Sequence, residues 1–272
     1  MIVLIAESKT MAPKEQSVSL DDFERHKPIG ETMADDVMSH LAQLSPGEIN
    51  SLTGYSASMS AKLRDMAYDF PNKTLGYPAI EAYTGVVFKA LDYGSLNDQA
   101  KEDCGNNVRI VSSLYSWLRP SDIIKPYRLD FKLKGLDHYP ITSAGELAFK
   151  AVRRKILTTS LIRDIQNTNT SEILDLLPSD ASQCIDWKMV KRYADVWKVN
   201  FSELKEGEYD DPLDERNCKT PNASKLKTMR GKLLRLILTE GISCAQQLRK
   251  VVDQDFICLG TPRYPYHLQF LC

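Results

Sequence analysis

The sequence predicts an α+β fold of short strands and amphipathic helices. Residues Ile2 to Ala6 form an apolar run rich in β-branched side chains that ends in polar turn residues, as a buried strand does. Residues 225–239 instead repeat apolar side chains at helical spacing and stop before Gly241, which predicts a helix. With 272 residues, of which 43% are apolar, the chain can bury a full core as one large domain or two small ones.

The other elements are predicted from periodicity and from helix-start signals. Ser45, Pro46 and Glu48 indicate a helix start, because a serine N-cap, a proline in the first position and a glutamate three residues after the cap form a capping box. Periodicity predicts the rest: helices at 35–44, 146–165 and 244–252, and strands at 108–111 and 127–133.

Residues 45–68 predict two helices joined at Gly54. The second helix restarts near Ser56 or Ser58, and Ile49 and Leu52 occupy the apolar places of a helix-hairpin-helix element, a unit that can hold a nucleic acid backbone. The second glycine of that pattern is replaced by Ser56. An ordinary pair of antiparallel helices is therefore the alternative.

The net charge of −1 hides a strong segregation of charge. Residues 109–134 and 219–235 are basic, whereas residues 203–222 are acidic and rich in turn formers, which predicts an acidic surface loop or a mobile insertion. Such segregation favours a positively lined surface that binds a polyanion. The alternative is that each run is an ordinary solvated face.

Several classes of protein are disfavoured. No apolar run approaches the roughly 20 residues of a membrane helix, and the N-terminal apolar run ends at Glu7 without a basic start, so we expect a cytoplasmic protein without a signal peptide. The six cysteines and four histidines are dispersed, without a C-x-x-C pair. The sequence therefore indicates no metal site and no cofactor, and the cysteines are expected to be reduced.

The densest cluster of candidate site residues lies in the stretch SSLYSWLRPSDIIKPYRLDF, at residues 112–131. Here Arg119 precedes Pro120, while Lys125 and Arg128 flank the second proline. Proline fixes its own φ angle and restricts the preceding residue, so the backbone beside each cation is held in place. Ordered cations of this kind suit the binding of phosphate.

Arg230 is a separate candidate. On the helix predicted at 225–239 it projects along the edge of the apolar stripe, whereas Lys225, Lys232 and Arg235 fall on the opposite side. An inward cation needs a carboxylate partner or a polar cleft. Both alternatives remain open at this point.

Four segments carry a resemblance to a known family. They are the first strand with Ser8-Lys9-Thr10, the segment YTGVVFKAL at 83–91, the stretch at 112–129, and Arg230-Gly231 followed by Arg235. In the same order they are similar to the patterns S-P-A-K-T, Y-x-G-x-V-Y-x-G-L, L-S-G-L-Y-G-x-L-R-P-x-D-x-I-x-P-Y-R-L-E-M and A-R-G-x-M-x-R of the YaaA family of bacterial peroxide-stress proteins. The chain resembles a divergent member, because Ser113 and Ser116 replace two glycines of the third pattern, the family's F-W-G segment has no clear counterpart after Lys134, and its N-L-A-S-x-E-Y stretch is matched only loosely at 175–180.

The resemblance implies a single domain over residues 1–272, with a mixed β-sheet body surrounded by helices, a helix-hairpin-helix-like element and a basic cleft. It also implies binding to duplex or branched DNA with weak sequence preference, and a role in the response to hydroperoxide that limits oxidative DNA damage. The expected DNA contacts are the cations of the cleft, one aromatic side chain and the hairpin turn: Lys9, Arg119, Lys125, Arg128, Arg230, Tyr115 and Gly54. Tyr115 is expected to stack on a base or sugar, or to pack beneath the cations.

Two alternatives to a non-enzymatic DNA-binding protein remain. In an enzyme acting on a nucleic acid or nucleotide, the same cations would hold phosphate while Asp122 or Lys9 carried out proton transfer or Schiff-base chemistry. In a regulatory module, the basic cleft would meet a protein partner. The sequence favours the non-enzymatic protein, and we expect Lys9, Arg119, Arg128 and Arg230 to converge on one concave surface.

Overall fold

The strands form a central mixed sheet and two smaller sheets. The computed structural model describes residues 1–11, 16–72, 75–205, 217–259 and 266–272. The strands are β1 Ile2–Ala6, β2 Gln16–Ser17, β3 Leu75–Pro78, β4 Val108–Ser112, β5 Ser116–Leu118, β6 Ile123–Ile124, β7 Pro140–Ile141, β8 Leu147–Ala148, β9 Glu172–Asp175, β10 Asp195–Leu204, β11 Cys218–Lys219, β12 Ile257–Cys258 and β13 His267–Leu271.

The middle of the central sheet is parallel. Its strands lie in the order β12-β13-β10-β9-β1-β4-β5, and β11 pairs with β10. β1 runs parallel to both β4 and β9, and β10 runs parallel to β9 and β13, whereas β5, β11 and β12 are antiparallel to their neighbours. The carboxyl ends of β1, β4, β9 and β10 therefore meet at one edge, where open α/β sheets usually bind ligands.

The helices cover the sheet and are of very different lengths. They are α1 Leu20–Arg25, α2 Glu31–Gln43, α3 Pro46–Thr53, α4 Ala57–Asp69, α5 Ala79–Ala82, α6 Val86–Leu91, α7 Asp98–Asn107, α8 Phe149–Thr168, α9 Ser179–Ser182, α10 Trp187–Val190, α11 Ala223–Thr239 and α12 Ala245–Leu248. Within the described ranges, no helix combines the length and apolar character needed to cross a bilayer.

Both faces of the central strand are buried. Val3 and Ile5 of β1 belong to one apolar cluster, whereas Ile2 and Leu4 belong to a second. Because neighbouring side chains of a strand point to opposite faces, the two clusters lie on the two sides of the sheet. The prediction of a buried first strand and a mixed α+β body is confirmed.

The segment predicted as a strand at 127–133 pairs with no other strand among the described residues. Its side chains nevertheless alternate: Tyr127, Leu129, Phe131 and Leu133 are buried, and the residues between them are not. The alternation was thus predicted correctly, but the strand itself was wrong, because periodicity does not supply a ladder partner. After β4, residues 113–115 lead directly into the short strand β5.

The two-helix outline at 45–68 is present. Ser45 and Glu48 form the predicted capping box, α3 ends at Gly54 with φ 78°, and Ser56 caps α4 through a hydrogen bond from the Met59 N–H. Assignment of this pair as a nucleic-acid-binding element stays a prediction.

The flanks of the predicted acidic loop at 203–222 form a ladder. Glu203 pairs with Lys219, and its carboxylate also lies 2.8 Å from the Lys225 ammonium. Residues 206–216, which carry the other acids of this run, lie outside the described residues.

Candidate functional site

A cavity of about 420 Å³ opens at the carboxyl ends of β1 and β9. Its walls come from five stretches of chain: the turn after β1, the start of α6, the residues after β9, the extended segment at 130–131, and one side of α11. Its charged lining residues are Glu7, Lys9, Lys89, Asp130, Asp180, Lys227 and Arg230.

Two glycines allow these walls to approach one another. A Cβ atom at Gly85 would overlap the side chain of Ser8, and a Cβ atom at Gly231 would overlap the Val87 carbonyl of α6. The turn after β1, α6 and α11 are therefore packed more closely than larger residues would permit. Arg230 precedes Gly231, and both Arg230 and Val87 line the cavity beside this contact.

Arg230 is half-buried and faces two carboxylates. Burial lowers the pKa of its guanidinium, and the charges of Asp175 and Asp180 oppose this shift. Asp175 is itself occupied, since it accepts hydrogen bonds from the Leu177 N–H at 2.9 Å and the Ser182 hydroxyl at 3.1 Å. In the part of the chain that the structure describes, the Arg230 guanidinium makes no hydrogen bond, and the side chain lines the cavity.

Lys9 links the cavity to the helix pair α3–α4. It forms an ion pair with Asp130, and the other oxygen of Asp130 accepts a hydrogen bond from the Tyr55 hydroxyl at 3.1 Å. Tyr55 follows Gly54 in the turn between the two helices. Arg128 lies at the same place, because its Nη1 donates to the Lys9 carbonyl at 2.9 Å.

Glu7, which was not predicted as a site residue, also lines the cavity. Its Oε2 accepts hydrogen bonds from the Ser113 N–H at 2.9 Å and from the Tyr127 hydroxyl. Burial raises the pKa of this carboxyl to about 7, and the hydrogen bonds from Ser113 and Tyr127 oppose the rise. The feature that could have identified Glu7 as a site residue is its position, since it is the first polar residue after a buried parallel strand.

Tyr127 connects Glu7 to two further hydroxyl groups. The Tyr127 oxygen lies 2.6 Å from the Tyr83 hydroxyl and 2.7 Å from the Ser112 hydroxyl. Burial raises the pKa values of Tyr83 and Tyr127 well above the ordinary value of tyrosine, so these two side chains stay neutral near pH 7. Glu7 is therefore the member of this cluster that titrates near neutral pH.

Two predicted DNA contacts lie inside the protein. Lys125 is 3% exposed, and its ammonium donates to the backbone carbonyls of Asp69 and Asn72, the latter at 2.7 Å. Tyr115 is 1% exposed, and its hydroxyl accepts from the Lys125 N–H at 3.1 Å. In this structure neither side chain can reach a ligand on the surface. Lys125 instead holds the carboxyl end of α4 and the residues after it against the buried segment that contains Lys125.

Arg119 and Asp122 lie away from the cavity. β5 runs antiparallel to β4 with Leu118 opposite Ile110, so Arg119 lies beside the amino end of β4. There its guanidinium is 3.9 Å from the Asp164 carboxylate. Asp122 accepts a hydrogen bond from the Arg119 N–H at 2.9 Å, and burial raises its pKa to about 7. Of the four cations expected to converge, Lys9 and Arg230 line the same cavity, Arg128 contacts the Lys9 carbonyl, and Arg119 lies at the other end of the parallel strands.

Comparison with known proteins gives consistent matches along the chain. A family model described as peroxide stress protein YaaA matches residues 1–258. A UPF0246 protein of Parabacteroides distasonis is 27% identical over 260 residues, which cover 94% of this chain and 93% of that protein. A UPF0246 protein of Bacteroides thetaiotaomicron is 26% identical, covering 92% and 90%, and one of Idiomarina loihiensis is 29% identical, covering 65% and 66%.

Proposed function

The chain belongs to the peroxide stress protein YaaA family, and on this premise we propose that it binds DNA through the phosphate backbone during the oxidative stress response. In this role it limits oxidative damage to DNA. The observation that carries the proposal is the gathering of cations at one cavity of a chain whose net charge is −1. Lys9, Lys89, Lys227 and Arg230 line the cavity, and Arg128 lies beside Lys9.

The position of the helix pair α3–α4 supports the same proposal. Its turn is joined to the cavity through Tyr55, Asp130 and Lys9, and the side chain of Lys134 lies against Gly54. A DNA backbone that contacts the turn at Gly54 would therefore find further cations toward the cavity. Contacts of this kind go to phosphate oxygens and depend little on base sequence.

The test is a binding measurement with labelled duplex, branched and single-stranded DNA of mixed sequence at two salt concentrations. We expect binding at low salt that weakens as salt increases, because each neutralised phosphate releases counterions. Absence of binding to all three forms at low salt would exclude the proposal. An affinity that does not respond to salt would exclude the phosphate contacts.

A second candidate is an enzyme acting on a nucleic acid or nucleotide. Glu7 favours it, since a buried carboxyl with a pKa of about 7 suits general acid–base catalysis near neutral pH. Lys9 is exposed and paired with Asp130, and Asp122 lies outside the cavity, so Glu7 replaces both as the group to test. Incubation of DNA with the wild type and Glu7→Gln, followed by product analysis, distinguishes an enzyme from a binding protein.

A further inference from the structure

We infer that the cavity takes one nucleotide unit of a nucleic acid strand, and that Glu7 gains a proton when the unit binds. This inference rests on the proposed DNA binding and deepens it, because it names the part of the ligand that enters the protein. It adds a proton-linked step that phosphate contacts alone do not require.

The size and lining of the cavity fit a nucleotide unit. A volume of about 420 Å³ lies within the range of about 300–1,000 Å³ that small-molecule sites occupy. Phe131, Leu176, Pro178 and Val86 supply apolar surface for a base or sugar, and the cations supply donors for phosphate. Inorganic phosphate alone would leave the apolar surface uncovered.

The charges around the cavity determine what an anion does there. The cations Lys9, Lys89, Lys227 and Arg230 face the carboxylates Glu7, Asp130 and Asp180. Lys9 and Asp130 already form an ion pair, and Asp180 acts on Arg230. Asp180 likewise forms no ion pair among the described residues, but its charge acts on Arg230, whereas burial and hydrogen bonds have the largest effects on Glu7. Glu7 is therefore the lining carboxylate whose charge is least balanced by a cation when a phosphodiester enters. Protonation of Glu7 removes this repulsion.

The surroundings of Glu7 permit that proton to be gained. Tyr127 has one hydroxyl proton and donates it to Oε2, so Tyr83 and Ser112 must donate to the Tyr127 oxygen. These bonds and the Ser113 N–H all lead to Oε2. A proton is then placed on Oε1, from which it can be donated to an acceptor on the ligand. The charge of Glu7 also acts on Tyr55, whose pKa burial raises.

The probe is the methyl ester of deoxyadenosine 5′-monophosphate. Its single phosphodiester charge is constant between pH 6 and 8, whereas a phosphate monoester titrates near pH 6. Calorimetry at pH 7 in two buffers of different ionisation enthalpy measures the protons taken up on binding. We expect uptake approaching half a proton, since Glu7 is about half protonated at that pH before binding. Affinity should fall by up to about tenfold per pH unit above 7.

Three variants give the inference its controls. Glu7→Gln should bind the probe without proton uptake and with an affinity independent of pH. Arg230→Gln should lose at least about tenfold in affinity, as a charge-assisted hydrogen bond predicts. Lys232→Gln should behave as the wild type, because Lys232 lies on the same helix but pairs with Asp255 outside the cavity.

Each of the other possible results excludes one part of the inference or the proposed function. Probe binding by the wild type without proton uptake excludes the role of Glu7, even where Glu7→Gln does not fold. Equal affinity for inorganic phosphate excludes a nucleotide unit. DNA binding by a protein that does not bind the probe excludes the inference and leaves the proposed function intact. If the protein binds neither DNA nor the probe, both the proposed function and the inference are excluded.

Discussion

The hydroxyl of Tyr127 donates a hydrogen bond to the carboxylate of Glu7, across 120 residues of chain. Tyr127 follows Pro126, and Glu7 follows β1, so this bond joins the extended segment at 127–133 to the parallel edge of the sheet. Because the bond lies at the cavity, the protonation of Glu7 affects both the stability of the fold and the charge that a ligand meets.

Folding should become less favourable as Glu7 ionises. Its pKa rises from an ordinary 4.5 to about 7 in the folded protein, so the folded state holds the proton more tightly than the unfolded state. The stabilising contribution is complete below pH 4.5 and is lost as the pH rises through 7, an effect of up to about 3 kcal/mol. We therefore expect the free energy of unfolding, measured by urea titration, to be lower at pH 8 than at pH 5.

In Glu7→Gln this decrease should be smaller. It should not vanish, because burial also raises the pKa of Asp122 from 3.8 to about 7. Asp122→Asn should remove that second share, and the decrease should be smallest when the two variants are combined. Equal pH dependence in Glu7→Gln and the wild type would contradict the burial of the Glu7 carboxylate.

Replacing Lys125 should test its reassignment from DNA contact to structural residue. Lys125→Met removes an ammonium that donates to two backbone carbonyls in the interior. The loss leaves those carbonyls short of a donor, and we expect destabilisation of about 2–4 kcal/mol, measured by urea unfolding. DNA affinity of the folded protein should stay unchanged. Weakened binding by a fully stable variant would restore Lys125 as a ligand.

Replacing Ser116 with glycine should stabilise the folded protein. It replaces a glycine of the family pattern and adopts φ 65°, in the left-handed region that disfavours residues with a Cβ atom. Ser116→Gly should therefore raise the free energy of unfolding by up to about 1 kcal/mol. Ser113→Gly is the matched control, since Ser113 also replaces a glycine but does not have a positive φ. Ser113→Gly should lower the free energy of unfolding. An increase in both variants would argue against backbone strain at Ser116.

Local patterns predicted the elements whose cause is local. The buried run of β1, the capping box at Ser45 and the helix at 225–239 follow from neighbouring residues alone. The alternation at 127–133 predicted burial but not pairing, because pairing depends on a distant strand. Arg119 was placed with the other cations because nothing local shows that β5 turns back along β4. The environment of Glu7 is likewise not local, because the donors to its carboxylate, Ser113 and Tyr127, are distant in sequence.

Arg128 should contribute to binding more than to stability. The sequence places Asp130 on the same face as Arg128, but in the structure the guanidinium donates to the Lys9 carbonyl and Asp130 pairs with Lys9. An exposed bond of this kind contributes little to folding, so Arg128→Ala should lower stability by under about 1 kcal/mol. It should weaken DNA binding by about 1.5–3 kcal/mol, the range of a charge-assisted hydrogen bond. A lower melting temperature with unchanged affinity would assign Arg128 a structural role.

The salt dependence of DNA binding separates the cations at the cavity from those elsewhere. Each phosphate contact contributes about −0.9 to the slope of log K against log salt for duplex DNA. Arg230→Gln should therefore reduce the magnitude of the slope by about one. Arg119→Gln should leave the slope unchanged, because Arg119 lies at the opposite edge of the sheet beside Asp164. Both variants remove one positive charge, so a nonspecific effect of net charge would change both slopes alike. A reduced slope for Arg119→Gln and a wild-type slope for Arg230→Gln would place the DNA at the other edge of the sheet.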